Sequence, residues 1–311
     1  MRNIILIYSL VAILISLTVM TICGNVILIC GLLQNRKQRR QYSNLFVINL
    51  AVSDAILAML VMSTDTDSVI RDHWNLNVAW CNVNCAVNYQ CIIVSMVTFA
   101  FIGLDRYVAV SDPLHYKQRI SRRKILLQIF SSWIIGFAFS SVPIYKNWID
   151  FDYWELGCAI DWFHDDLDIV IYVILAFIFC FMFPLSVMMF SYIRVAIEIQ
   201  RTIRVKSSVQ RKTNKTHAEI RLQARNKKLV IINLLLLTIF IVTLTPYCVT
   251  KMIKAGTGNV DYLPGPVNAV STLFQFSGSA ISPLLYGVLR KEIFNGIKSE
   301  LKNLYKCFKF K

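Results

Sequence analysis

Charged residues are scarce in this chain. Asp, Glu, Lys and Arg make up 16% of its 311 residues, against about a quarter in soluble domains, which argues against a soluble enzyme. Glycine and proline are few as well, 11 and 7. Glycine has no regular period, which excludes a collagen-like fibre. No internal repeat is visible, which argues against a transporter or channel built from inverted halves. No constellation of catalytic side chains stands out. What is plentiful is apolar: 56% of residues are hydrophobic and the mean hydropathy is +0.54, too high for a disordered chain. Acids are outnumbered 18 to 33, a net charge of +15. Such an excess points to nucleic acid or to a membrane surface.

The hydrophobicity comes in blocks. A helix crossing a bilayer needs about 20 mostly apolar residues, and seven stretches meet that. They predict helices over about 4–33, 43–63, 78–110, 124–145, 168–196, 226–253 and 265–288. Barrel strands are shorter and alternate in polarity, so the fold expected is all-α, a seven-transmembrane bundle in one domain over 1–311. The third and seventh stretches are diluted by Asn, Ser, Gln, Gly and Cys. Helices of that kind face a bundle interior, where polar groups find partners.

The loops orient this bundle. Those on one side, with the C-terminal tail, contain 4, 5, 10 and 7 Lys and Arg, 26 of the 33; the other side contains five. By the positive-inside rule the C-terminus is cytoplasmic and the N-terminus extracellular. The basic charge then faces anionic inner-leaflet lipid, and nucleic acid is not needed as a partner. Five of six Trp (Trp74, Trp80, Trp148, Trp154, Trp162) fall in or beside outer loops, as expected of an interfacial belt. The first apolar stretch is twice the length of a signal-peptide core, so it is expected to remain as the first helix.

Most of the nine Cys sit inside the spans, where a free thiol behaves as a small hydrophobe. Cys81 and Cys158 lie on the outer, oxidising side; residue chemistry alone allows a bridge or two thiols. Cys307, among Lys306, Lys309 and Lys311, is a candidate for palmitoylation. Ionisable groups inside spans are costly and therefore functional by default. Asp54 stands in the second span, Asp105 and Arg106 at the inner end of the third. Asn25, Asn49, Ser95, Ser279 and Ser282 are available to satisfy Asp54 or a cation beside it.

With these residues in place, the chain resembles the rhodopsin-like (class A) G protein-coupled receptors, which carry one marker on each helix. The matches are Gly24-Asn25, Leu50-Ala-Val-Ser-Asp54, Trp74, Cys81, Asp105-Arg106-Tyr107 followed by Pro113-Leu114, Trp133, Pro184, Tyr192, Pro246, Ser282-Pro283-Leu-Leu-Tyr286 and Phe294. The resemblance implies a Cys81–Cys158 disulfide that ties the second outer loop over the bundle mouth. It implies a plasma-membrane receptor whose partners are an extracellular small-molecule ligand, membrane lipids and a heterotrimeric G protein. Arg106, held at rest by Asp105, would meet Tyr192 and Tyr286 on activation. Tyr107 and Leu114 would belong to the same coupling surface, with Leu114 plugging into the G protein. No enzyme activity and no organic cofactor follow; a sodium ion at Asp54, with Ser95, Ser279 and Ser282, does.

The chain departs from the family pattern in places. Asn226 replaces an acid that restrains the third-helix Arg, Leu244 replaces a Trp in the sixth helix, and Ser282 replaces an Asn. Amine receptors place an Asp where Asn88 stands, so a cationic amine has no partner there. Gly157-Cys-Ala-Ile-Asp-Trp162 and Thr245-Pro-Tyr247 resemble opsins, and other features resemble melatonin receptors. Phe276, however, occupies the position of the retinal-binding Lys. A standard retinal pigment is therefore disfavoured; an opsin with a displaced linkage is the runner-up. The reading preferred is a receptor for a small, mostly neutral ligand, with a pocket at Asn88, Tyr89, Ile92, Tyr247, Cys248, Thr272 and Phe276.

Beyond the seventh span, Ile293, Phe294, Ile297, Leu301 and Leu304 recur at spacings of three and four, one apolar helical face. Lys291, Lys298 and Lys302 flank it. Residues 290–305 are therefore expected to form an amphipathic helix on the inner leaflet. Spin labels at Phe294 and Ile297 should be shielded from aqueous quenchers and accessible to oxygen in lipid. Labels freely quenched from water would show a solvated tail instead.

Overall fold

A computed structural model describes residues 4–34, 38, 41–112, 115–161, 167–209, 217–258 and 262–289, and their side chains apart from 117, 199, 202–209, 217–230 and 287–289. Among the described residues, seven long helices form the bundle. They are α1 (Ile4–Gln34), α2 (Asn44–Leu57, a π-helical turn Ala58–Met62, and Ser63–Arg71), α3 (Val78–Ser111), α4 (Arg122–Ser140), α5 (Leu167–Ala176, a π-helical turn Phe177–Met182, and Phe183–Val209), α6 (His217–Thr257) and α7 (Gly265–Leu289). Six of them, with the short turn Val142–Tyr145 that continues α4, are long and apolar enough to cross a membrane. α7, diluted by Asn, Ser, Gln and Gly, packs among them. Tail residues 290–305, with Phe294, and Cys307 lie outside the described residues.

The helices outrun the apolar stretches that predict them. α2 continues eight residues past 63, to Arg71, and α5 runs on to Val209. The physical reason is that polarity marks where the apolar stretch ends, whereas the i to i−4 hydrogen-bond ladder continues unless a cap stops it; the polar extension of α2 still buries Asp65, Ser68 and Val69. Caps are present elsewhere: Asn77 accepts from Trp80 N–H at 2.8 Å and opens α3, and Ser121 accepts from Lys124 N–H at the start of α4.

The main core gathers side chains from α1, α2, α3, α5, α6 and α7, including Leu28, Phe46, Met96, Phe99, Met188, Leu236 and Tyr286. α1 and α7 approach closely at Gly24, where an added Cβ would sit 2.7 Å from Pro283 Cγ. That position therefore tolerates only glycine without movement.

One element has no counterpart in an all-α expectation. β1 (Ile149–Asp152) and β2 (Gly157–Ile160) form an antiparallel hairpin between α4 and α5, Ile149 opposite Ile160 and Asp152 opposite Gly157. Two strands alone are marginal in water, and this pair is held from outside. Cys158 is disulfide-bonded to Cys81 of α3, with Cα atoms 5.4 Å apart. Asn84 Oδ1 accepts from Cys158 N–H at 3.3 Å. Ser68 Oγ donates to the Leu156 carbonyl at 2.7 Å. Leu156 adopts a left-handed φ of 69° and is fully buried beside Leu10, Met62 and Val69.

Cys81→Ser and Cys158→Ser are each expected to lower cell-surface expression, since losing a native disulfide costs about 2–5 kcal/mol. Flow cytometry of surface-tagged chain checks this. Wild-type surface levels for both variants would show the hairpin to be held without the bridge.

Candidate functional site

Three groups of side chains line up along the bundle. The first is a cavity of about 110 Å³ under the hairpin. Its walls are mainly apolar, from Tyr89 and Ile92 of α3, Tyr172, Phe177 and Phe181 of α5, and Tyr247, Cys248 and Met252 of α6; Ile160 of β2 closes it. The π-helical turn of α5 contributes Phe177, Cys180 and Phe181, because one extra residue per turn rotates these side chains inward. Lys251 reaches the same wall, its Nζ 4.8 Å from the Tyr247 ring centroid.

Lys251 is not an open charge. It pairs with Glu155 of the hairpin, and fully buried Lys254 pairs with Glu155 Oε1 at 2.6 Å and Asp152 Oδ2 at 2.9 Å. Two lysines meet two carboxylates, so the cavity mouth is electrically balanced. Below, Gln275 Nε2 donates to Asn88 Oδ1 at 2.7 Å, and Asn88 Nδ2 donates to the Tyr247 hydroxyl at 3.3 Å.

The second group is the polar centre. Ser279 Oγ donates to Asp54 Oδ1 at 2.7 Å. Asp54, Ser95, Gln275 and Ser279 line a hollow of about 20 Å³, enough for one water-sized occupant. The Gln275 Oε1 is buried there without a hydrogen-bond partner among the described residues. Asn49 faces elsewhere, donating to Thr98 and accepting from Trp133 Nε1. Asn25 donates to the Ser279 carbonyl at 3.3 Å.

The third group lies at the opposite end from the hairpin. Arg106 and Asp105 form a buried ion pair. Tyr116, from the helical turn Tyr116–Arg119, donates to Asp105 Oδ1 at 2.8 Å and meets Ser43 Oγ at 2.9 Å. Burial, with the neighbouring Asp105, pushes the Tyr116 phenol up to about 12; it therefore keeps its proton at any cellular pH and remains a donor. Tyr192 lies within electrostatic reach of Arg106 and Tyr286. The Tyr192 hydroxyl and Arg106 Nε are buried without hydrogen-bond partners among the described residues.

A family model described as 7 transmembrane receptor (rhodopsin family) matches residues 24–286. The chain belongs to that family. Among similar proteins, "Rhodopsin, G0-coupled" of Mizuhopecten yessoensis is 26% identical over 85% of this chain and 65% of its own length. The "D(1B) dopamine receptor" of Mus musculus is 27% identical over 63% of this chain and 44% of its own. The chain thus spans under two thirds of each. The crystal structure of squid rhodopsin superposes with a TM-score of 0.87 at 20% identity, covering 98% of this chain and 88% of the other, a likeness of fold.

Within this rhodopsin-family bundle the expected site residues divide. Tyr89, Ile92, Tyr247 and Cys248 line the cavity, and Asn88 joins its polar floor. Thr272 and Phe276 do not line it. Thr272 donates to the Asn268 carbonyl of its own helix, and Phe276 packs with Leu10, Leu14 and Leu57, because α7 turns that face towards α1 and α2. Ser282 likewise donates to its own Gly278 carbonyl rather than to Asp54. Tyr107 stands away from the Asp105–Arg106 pair, with its ring against Phe190 and the Arg194 guanidinium. Leu114 and the side chain of Asn226 lie outside what is described.

Sequence reasoning missed Tyr116 and the α5 wall. It also missed the ion pairs of the hairpin, although Lys251 and Lys254 on one side and Asp152 and Glu155 on the other share a spacing of three. Tyr116→Phe should remove one hydrogen bond to a buried carboxylate, about 1.5 kcal/mol. A melting midpoint lower by a few degrees in detergent is expected; an unchanged midpoint would show the contact to be idle.

Proposed function

We propose that this chain is a plasma-membrane G protein-coupled receptor with its hairpin end extracellular. Its ligand is small and mostly neutral and enters the cavity between α3, α5 and α6. Its partner at the other end is a heterotrimeric G protein. The observation that carries the reading is the buried Arg106, clamped by Asp105, whose carboxylate also accepts from Tyr116, with Tyr192 within electrostatic reach. A guanidinium so placed keeps its charge and its fork of donors. Release from Asp105 would free it for Tyr192, Tyr286 and a G protein helix.

The ligand chemistry follows from the cavity. Among the described residues its walls are aliphatic and aromatic, Lys251 is matched by Glu155, and its floor is made of amide and phenol groups. A charged ligand would leave a carboxylate or ammonium uncompensated in a dry site. Binding shifts the resting and active populations by the difference in affinity for the two.

A second reading rests on Lys251, whose amine lines the same cavity: a light receptor with its retinal linkage displaced to α6. A visible absorption band on adding retinal, lost in Lys251→Met, would favour it. For the polar centre we propose a sodium ion held by Asp54 and Ser279, with Ser95 and Gln275 beside it. Sodium would supply a positive charge to a carboxylate that otherwise has Ser279 as its donor.

The test is a ligand library read by G protein dissociation in cells. A neutral agonist is expected to act on wild type and to lose all response in Arg106→Ala at equal surface expression. Full signalling by Arg106→Ala would overturn the coupling role.

A further inference from the structure

The hairpin over the cavity is fastened in two ways. On one side its attachments reach α2 and α3: the Cys158–Cys81 bond, Asn84 to Cys158, and Ser68 to Leu156. These are a covalent bond and contacts to backbone, and they fix that edge. On the other side it reaches α6 through ion pairs, Glu155 to Lys251 and Lys254, and Asp152 to Lys254. An apolar cluster of Trp148, Ile160, Met252 and Ala255 adds packing at the same junction.

The hairpin turn is shaped for those pairs. Asp152 Oδ1 accepts from the N–H groups of Trp154 and Glu155, at 2.9 and 3.0 Å. This closes a side-chain turn that holds Glu155 against α6. The other Asp152 oxygen, Oδ2, remains for Lys254. Lys251 and Lys254 stand one helical turn apart, so both ammonium groups present to one hairpin. Lys254 has no exposed side-chain surface and Glu155 has 6%.

We propose that this four-charge network is an all-or-none latch: the hairpin is a lid hinged on the Cys81 disulfide, and release of its α6 edge opens the ligand cavity to water. The physical reason lies in how buried ion pairs behave. A paired, dry ammonium and carboxylate are close in free energy to the same two groups fully hydrated. A lone charge left in the dry junction is far worse than either. Closed and fully open are therefore both accessible, while a half-open lid with one unpaired charge is not. Ile160 of the lid and Lys251 of the latch both line the cavity, so releasing the network removes part of the cavity wall. The inference uses the cavity and the outward-facing hairpin end of the proposed function but neither its ligand nor its G protein.

Cys248 reports the lid. Its thiol lines the cavity and is free. A charged, membrane-impermeant methanethiosulfonate added outside intact cells reaches it through water. The rate is read by mass spectrometry of the Cys248 peptide from full-length chain isolated from the surface. Wild type should label slowly. Glu155→Gln, which keeps the shape and removes the shared carboxylate, should label about tenfold faster or more. Asp152→Asn keeps an oxygen for the turn and removes one ion pair, and should label at an intermediate rate. If Glu155→Gln does not reach the surface, Asp152→Asn alone decides. Wild-type rates in the variants that reach the surface would overturn the latch and leave the apolar cluster as what holds the lid. G protein signalling does not enter this measurement, so loss of the receptor reading would leave its result intact.

Discussion

Hydrocarbon supplies no hydrogen bonds, and the rest of this structure depends on that constraint. Each backbone group in the membrane must be satisfied within its own helix or by a neighbour. Side chains that carry polarity into the bundle must therefore bring partners. Asn49 does so with Thr98 and Trp133, Asp54 with Ser279, Asn88 with Gln275 and Tyr247. Each of these joins two or more helices. The polar residues thus fix which helices stand beside which, while apolar packing between them is less selective.

The same constraint sorts the charges. Arg106 with Asp105 at one end, and Lys251 and Lys254 with Glu155 and Asp152 at the other, are buried only because they are matched. Matched buried charges add little net stability, but breaking one partner is costly. They therefore suit places where a protein changes between two arrangements. The two clusters sit at opposite ends of the bundle, where an open form can be hydrated. Between them lie the apolar cavity and the small hollow at Asp54, which join the two ends through α3, α6 and α7.

The lid shows how a weak element becomes part of a firm one. A hairpin of two four-residue strands has almost no core of its own, yet β2 is buried along its whole length. Its stability is borrowed from the disulfide, from Leu156 in the α1–α2 cluster, and from α6. The strained φ of Leu156 is maintained by that burial, since a non-glycine residue holds such a conformation only when its surroundings enforce it.

Composition and periodicity alone determined the seven helices, because a bilayer-spanning run of apolar residues has few other solutions. Motif order determined the family and the pair Cys81 and Cys158. Both signals are local along the chain and are read without knowing any contact. The side toward which α7 turns Thr272 and Phe276 is decided by packing against α1 and α2, and no run of residues encodes it. The same holds for Ser282, whose hydroxyl satisfies its own helix before it can reach Asp54. Tyr116 reaches Asp105 only because the turn Tyr116–Arg119 folds back against α3, and the α5 wall exists because a π-helical turn rotates Phe177 and Phe181 inward. The matching of Asp152 and Glu155 to Lys251 and Lys254 spans about a hundred residues of sequence. Only the tertiary structure brings those charges together, because loop closure by the disulfide, not sequence proximity, sets the hairpin over α6.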